Sequence, residues 1–310
     1  MKIVFMGTPD FAVPCLRTLA ESRHELAAVF TQPDKPKGRG YKMIPTPVKK
    51  AALEYDLPVY QPLSLRKGDD ADEALKLLRE LAPELIVVTA YGQILPKEIL
   101  ELPKYGCVNI HASLLPKYRG AAPINWCILN GEAKTGVTSM QMAEGLDTGD
   151  MLIKKETEIG ENETYQELYD RLAVIGGEIL AETIDALEQG TVTPEKQDDS
   201  LSCYSPMIRK EMSSLDFSKS VSEIHNTIRG VTGFTTLGGK RLKIYASVIE
   251  SGTAADAADG EIVSPDNFTV KCGDGGLITF CEVQLEGSKR MKTADFLRGK
   301  KLTKGEVLGQ

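Results

Sequence analysis

The chain has 310 residues, enough for about two domains and for a core that needs no disulfide or metal staple. Hydrophobic residues make up 42% and charged residues 26%, the mix of a soluble globular protein. Lys and Arg number 37 against 44 Asp and Glu, a net charge of −7. That excludes a protein coated in basic charge for nucleic acid, but it leaves room for a local basic face.

In chain order, Ile3 to Met6 is an apolar run closed by Gly7-Thr8-Pro9-Asp10, a strand and its turn. A helix is expected from Phe11 to Glu21, with Pro14 in or near its first turn. Leu26 to Thr31 reads as a second strand, Pro47 to Tyr55 as a helix, and Val59-Tyr60 as a short strand. Apolar residues at 74, 75, 77, 78 and 81 make a helical stripe over Asp70 to Leu81. Leu85 to Val88, Cys107 to Ile110, Val137 to Met142 and Met151 to Glu158 read as strands, and Thr164 to Gln189 as one long helix. Buried runs alternating with helices predict an α/β fold: a Rossmann-like, mostly parallel sheet with helices on both faces.

The pattern changes after Gly190. Residues 191–207 are polar and read as a linker between a catalytic domain, 1–190, and a second domain, 208–310. In the second domain a helix over Ser220 to Arg229 is followed by short strands at 241–248, 260–263, 268–271 and 277–284. Gly238-Gly239, Pro265-Asp266-Asn267 and Gly273 to Gly276 punctuate them as turns. A small, mostly β domain is expected, a barrel of OB-like kind. The Ala/Asp/Gly stretch from Gly252 to Gly260 reads as a flexible loop.

Six cysteines, at 15, 107, 127, 203, 272 and 281, include no Cys-x-x-Cys, so zinc-ribbon and thioredoxin readings fail. Sparse thiols suit a reducing cytosol. The apolar run at the start is too short for a secretory leader, and no run approaches the eighteen or so residues of a membrane span. A cytoplasmic chain without membrane contact is expected. The first βα turn has one glycine where a dinucleotide fingerprint needs three, so an NAD site is unsupported. Metal binding lacks ligands at helical spacing.

The richest segment runs from Asn109 to Ile124. Asn109 lies on a strand buried on both faces, and His111 follows at its carboxyl end, where open α/β sheets place their sites. Two residues apart on a strand, the amide and the imidazole face the same way. They can stabilise an oxyanion and move protons, or they can be a satisfied structural pair at a strand end. Gly145-Leu146-Asp147-Thr148-Gly149-Asp150 is either a turn with Asp in local Asx geometry or a carried carboxylate. Its Asp-Thr-Gly occurs once, in the wrong fold class, so an aspartic protease is excluded. Gly-x-Ser-x-Gly is absent, which leaves a hydrolase triad through Ser113 weak.

The run from His111 through Leu115-Pro116-Lys117-Tyr118-Arg119-Gly120 to Ile124, with Gly145 to Asp150, closely resembles the signature of the formyltransferase family. Met6 to Ala12, Gln32 to Gly40 and Lys289 to Gly299 resemble the members that act on methionyl-tRNA, so the resemblance covers essentially the whole chain. It implies transfer of a formyl group from 10-formyltetrahydrofolate to the α-amine of methionyl initiator tRNA, for translation initiation. It maps the catalytic trio onto Asn109, His111 and Asp147, and a folate-contacting segment onto Ser113, Leu114, Leu115 and Pro116. Ala90 to Leu95 resembles the neighbouring wall of the folate pocket. No metal and no NAD are implied, and a monomer is expected. One departure is local: Ile228-Arg229-Gly230 is followed by Val231-Thr232-Gly233-Phe234, where the family often has a proline-rich turn.

The chemistry of the residues fits. A neutral amine attacking a formyl carbon makes an oxyanion, to which Asn109 and His111 can donate, while Asp147 can support an imidazolium and help the amine's proton leave. The net charge divides unevenly. Lys35, Lys37, Arg39, Lys42, Lys49 and Lys50 stand against Asp34. Lys289, Arg290, Lys292, Arg298, Lys300, Lys301 and Lys304 stand against Glu286 and Asp295. Such runs are commonly solvated surface; here Lys35, Lys37, Arg39 and Lys42, in a long glycine-bearing loop, are read as tRNA contacts. Two other readings compete: a formyltransferase for a small amine such as glycinamide ribonucleotide or an amino sugar, and a non-catalytic RNA-binding protein on the same scaffold. The basic loop and C-terminal module argue against the first, and the intact Asn109, His111 and Asp147 against the second.

Overall fold

The computed structural model describes residues 1–37 and 42–309. The chain divides into two compact units. One comprises Met1–Gly120, Thr135–Thr157 and Tyr169–Tyr204, and the other Ala121–Lys134, Glu158–Leu168 and Ser205–Gln310.

In the first unit the strands are β1 (Lys2–Gly7), β2 (Glu25–Phe30), β3 (Lys35–Lys37), β4 (Lys42–Ile44), β5 (Val59–Tyr60), β6 (Leu85–Thr89) and β7 (Cys107–His111). They are followed by β8 (Arg119–Gly120), β9 (Lys134–Gln141) and β10 (Met151–Glu158). The main sheet has the order β10-β9-β7-β6-β1-β2-β5. β1 pairs in parallel with β2 and β6, β2 with β5, and β6 with β7. The apolar runs at 3–6 and 85–88 are fully buried, as strands covered on both faces must be. The sheet is therefore mostly parallel, as the alternation implied. The exception is β9, which runs antiparallel to β7.

Helices α1 (Val13–Ala20), α2 (Pro47–Glu54), α3 (Asp69–Leu81), α4 (Lys97–Leu100), α5 (Pro123–Leu129) and α6 (Tyr165–Gln189) follow the strands. The helix expected at 11–21 opens with a tighter turn, Asp10–Ala12, before α1. α2 starts where Thr46 accepts the Lys49 N–H and Pro47 sets the first helical φ. α3 opens with Asp69, Asp70 and Asp72, whose charges suit the positive end of a helix, and buries Ala74 and Leu78, one turn apart. Gly177 lets α6 lie against α1, since a Cβ there would stand 2.9 Å from the Thr18 hydroxyl. The segment expected as one long loop carries a hairpin: Lys35 pairs with Ile44, Pro36 with Met43 and Lys37 with Lys42.

After β11 (Tyr204–Ser205), the second unit, which also takes in α5, holds α7 (Val221–Val231) and an antiparallel sheet of β12 (Gly233–Leu237), β13 (Lys240–Thr253), β14 (Ile262–Ser264), β15 (Thr269–Lys271), β16 (Gly276–Leu285) and β17 (Met291–Lys292). Its order is β12-β13-β16-β15-β14, with β17 beside β16, and it curls into a half-barrel. β13 runs beyond the expected 241–248 because bulges near Ala246 and Glu250 break the alternation from which a strand is read. Phe268 packs edge-on to Phe280 at 5.1 Å and stacks on Phe296, from α8 (Thr293–Gly299), at 6.0 Å. α7 opens with a capping box between Ser220 and Glu223. Its Gly230 permits close packing on α5, where a Cβ would come within 3.2 Å of Ile128, and the Gly230 carbonyl accepts from the Asn125 amide at 2.8 Å. The chain passes from α7 to β12 through Thr232 at φ 59°, which is where the sequence leaves the family's proline-rich pattern.

Candidate active site

After β1 the chain moves outward through β2 to β5, then returns to the other side of β1 for β6 and β7. The loops beyond β1 and β6 thus diverge at a switch point, where open α/β sheets bind ligands. They meet there: the Thr8 hydroxyl donates to the Tyr91 carbonyl at 2.8 Å. Ala90 and Gly92 both have positive φ, which turns the chain sharply around the buried Tyr91 and leaves Ile94 exposed. The Gln93 amide ties this loop down by donating to Pro62 O at 2.9 Å and accepting from Leu65 N at 2.8 Å. Burial raises the Tyr91 hydroxyl well above the ordinary phenol range, so it stays neutral.

β7 is flanked by β6 and β9, and it carries Asn109 and His111 on one face. Asn109 is half-buried, and its amide has no hydrogen-bond partner among the described residues. His111 is buried. Its Nε2 donates to the Tyr118 carbonyl at 2.9 Å, because a carbonyl can only accept. Its Nδ1 stands 3.8 Å from Oδ2 of Asp147. The same Oδ2 accepts the Gly120 N–H at 2.9 Å. Two residues of one loop therefore hold the imidazole and the carboxylate face to face.

The loop geometry follows from residue type. Tyr118 and Asp147 have φ of 60° and 52°, a region most residues avoid and which Asp tolerates better than most. Gly149 must be glycine, since a Cβ there would fall 1.7 Å from the Gln141 carbonyl. The Gln197 amide donates to the carbonyls of Asp147 and Gly149 at 2.8 and 2.7 Å.

Of the segment 113–116, Ser113 and Leu115 are buried. The Ser113 hydroxyl donates to Lys117 O at 2.7 Å, and Leu115 packs with Met140 and Met151. Thr138 on β9 pins the segment, donating to Ser113 O at 2.6 Å and accepting from Leu115 N at 3.2 Å. Leu114 and Pro116 are half-buried and keep surface for a ligand. Two surface hollows lie elsewhere, one on α3 beside Asp72 and Arg79 and one of about 380 Å3 lined by Phe30, Tyr60 and Leu77. Neither includes a site residue.

The formyl transferase family profile matches residues 1–184, and the profile for the formyl transferase C-terminal domain matches 207–301. A methionyl-tRNA formyltransferase of Citrifermentans bemidjiense is 52% identical over all of this chain and 97% of its own length. That of Alkaliphilus oremlandii is 50% identical over the full length of both. The chain belongs to the methionyl-tRNA formyltransferase family. The fold agrees with an N-formyltransferase of Helicobacter canadensis, solved with folinic acid and dTDP-3-aminofucose: TM-score 0.69, 22% identity, 90% of this chain and 98% of that one.

Within the family's two regions, the basic segments take different forms. Lys35 is exposed on β3, Arg39 lies outside the described residues, and Lys37 and Lys42 are backbone partners in the hairpin. Lys49 is spent locally, donating to Asp34 and Gln61 at 2.7 Å each, and its bond to Asp34, with that from the Gln61 amide, lowers the Asp34 carboxyl below its usual range. In the second unit Arg290 pairs with Glu282 at 2.5 Å and lies over the Tyr245 ring, and Arg298 pairs with Asp295. Lys289, Lys292, Lys300, Lys301 and Lys304 have no ion-pair partner among the described residues. No helix among the described residues is long and apolar enough to cross a membrane. Sequence reading did not single out Thr138 or Gln197; neither carries a periodic or motif signal.

Proposed function

We propose that this chain transfers the formyl group of 10-formyltetrahydrofolate to the α-amine of methionyl initiator tRNA, in the cytoplasm, with Asn109, His111 and Asp147 as its reacting residues. The observation that carries the reading is the His111–Asp147 pair beside the uncommitted Asn109 amide, at the switch point of a chain related over its whole length to methionyl-tRNA formyltransferases. Folate binding is supported by the folinic acid of the Helicobacter canadensis neighbour, and in this chain by the apolar surface that exposed Ile94, after β6, and half-buried Leu114 and Pro116, after β7, offer.

The amine attacks the formyl carbon as a neutral nucleophile. Charge gathers on the formyl oxygen, and a donor already aimed at it stabilises the transition state without reorganisation. The Asn109 amide supplies one such donor. Because Nε2–H of His111 is committed to Tyr118 O, Nδ1 is the nitrogen that exchanges a proton. With Asp147 opposite Nδ1, the pair is placed to take the proton the amine sheds as it attacks. Collapse returns the folate nitrogen as leaving group, which takes up a proton in turn.

The test supplies 10-formyltetrahydrofolate with methionyl initiator tRNA, glycinamide ribonucleotide or a nucleotide-linked amino sugar. Formylated methionyl-tRNA supports the reading. Formylation of a small amine with none on the tRNA overturns it.

A further inference from the structure

We infer that Gln197 is a positioning residue for the formyl transfer, holding the Asp147 loop in register with the turn that grips His111. This inference rests on the proposed function for its catalytic consequence, but its structural part stands alone.

Residues 193–201 are exposed except Gln197, which turns inward. Two residues earlier the strand-like bridge of Glu195 with Met151, two backbone hydrogen bonds of 2.8 Å, anchors the segment to β10. The Gln197 amide then uses every hydrogen-bonding group it has in three directions. Its NH2 donates to Asp147 O at 2.8 Å and Gly149 O at 2.7 Å, and its Oε1 accepts from Nε of Arg119 at 2.9 Å. The amide's orientation is forced, since only NH2 can face two carbonyls and only the oxygen can face a guanidinium.

The placement matters because of what lies on either side. Arg119 sits between Tyr118, whose carbonyl holds His111, and Gly120, whose N–H holds the Asp147 carboxylate. Asp147 itself occupies the left-handed region at φ 52°, a conformation that relaxes unless its surroundings hold it. One amide therefore ties the strained backbone of the carboxylate loop to the side chain at the centre of the histidine turn. The Arg119–Asp199 pair at 2.8 Å is a weaker tie, since Asp199 is exposed.

The experiment uses the full-length protein with Gln197→Ala, Gln197→Glu, Asp147→Asn and the double variant Asp147→Asn with Gln197→Ala. Gln197→Glu keeps the shape and the Arg119 partner but sets a carboxylate oxygen against two carbonyls. Both Gln197 variants should lower kcat by about 10- to 100-fold, as misplacing a reacting group does. KM for both substrates should stay within about threefold. The double variant should be no slower than Asp147→Asn alone, because both changes act through one group. Hydrogen exchange of the Gly120 amide, bonded to Asp147, should quicken in Gln197→Ala. Folded Gln197 variants with near-normal kcat, or losses that multiply in the double variant, overturn the catalytic role. A wild type that transfers no formyl group overturns the proposed function instead. The Gly120 exchange then still decides: faster exchange supports the positioning role, and unchanged exchange refutes it.

Discussion

The carbonyl of Tyr118 accepts the Nε2–H of His111 at 2.9 Å, and this one bond fixes the tautomer of the neutral ring. A neutral imidazole has one N–H, and here the carbonyl claims it. Nδ1 is left facing Asp147. The same turn then donates from Gly120 to that carboxylate, so one short loop sets both the tautomer and the partner.

His111→Ala and Asn109→Ala should each cut turnover by about a hundredfold or more while the protein stays folded, the first by removing the group that takes the amine's proton, the second by removing a donor to the developing oxyanion. Single-turnover formylation of methionyl-tRNA measures it. Near-normal turnover in a folded variant would remove that residue from the reaction.

Asp147→Asn should fold normally. Asn tolerates the left-handed backbone at φ 52°, and its amide oxygen can still accept from Gly120. It cannot support an imidazolium, so kcat should fall and the pH dependence of kcat should change shape. If Asp147 were only a turn residue, wild type and variant would give superimposable pH–rate profiles.

Thr138→Val keeps shape but deletes the hydroxyl that satisfies both Ser113 O and Leu115 N. Thr138 is fully buried, so those groups lose a partner that water cannot replace. A loss of about 1–3 kcal/mol in unfolding free energy is expected. Folate affinity should weaken too, if residues 113–116 line its site. Urea titration and equilibrium folate binding check the two effects separately.

Phosphate contacts should show in salt dependence. Replacing Lys289, Lys300, Lys301 and Lys304 by Ala should weaken tRNA binding and flatten its salt slope, by up to about 0.9 for each lost contact. Arg39→Ala should impair use of methionyl-tRNA and leave folate binding intact. Charge removal is the cleaner test than deleting 208–310, because α5 and residues 158–168 belong to the same compact unit as that stretch. Identical slopes for all proteins would return the lysines to ordinary solvated surface.

Acid should destabilise the fold through His225. Burial lowers its imidazole below the ordinary 6.5; the hydrogen bond to the Glu161 carbonyl opposes this, and nearby Arg229 adds to it. Folded His225 therefore binds its proton less readily than the unfolded chain does. Stability is full above the unfolded value and falls as pH drops below it towards the depressed folded value. His24, lowered chiefly by burial, acts in the same direction. Melting temperatures across this range should decline less steeply in His225→Gln than in wild type. Equal slopes would show that His225 does not carry the effect.

By itself the sequence determined the mostly parallel sheet, and it pointed to the proposed site. Fully buried strands at Ile3–Met6 and Leu85–Val88 need only unbroken apolar runs, and α3 needs only its stripe at 74 and 78. Asn109, His111 and Asp147 stand in short motifs whose residue types are their chemistry. The tertiary structure alone decided the rest. β9 runs antiparallel to β7, and α5 joins the β-rich unit, because pairing and packing partners lie far apart along the chain. Lys35–Lys37 and Lys42–Ile44 form a hairpin where charge and glycine suggested an open loop. The tautomer of His111 depends on one carbonyl, and the register of Asp147 on a glutamine 50 residues away. Such bonds leave no trace in composition or periodicity: hydrophobic patterning records how often a face is buried, whereas a single polar contact is fixed only when the folded backbone brings its two ends together.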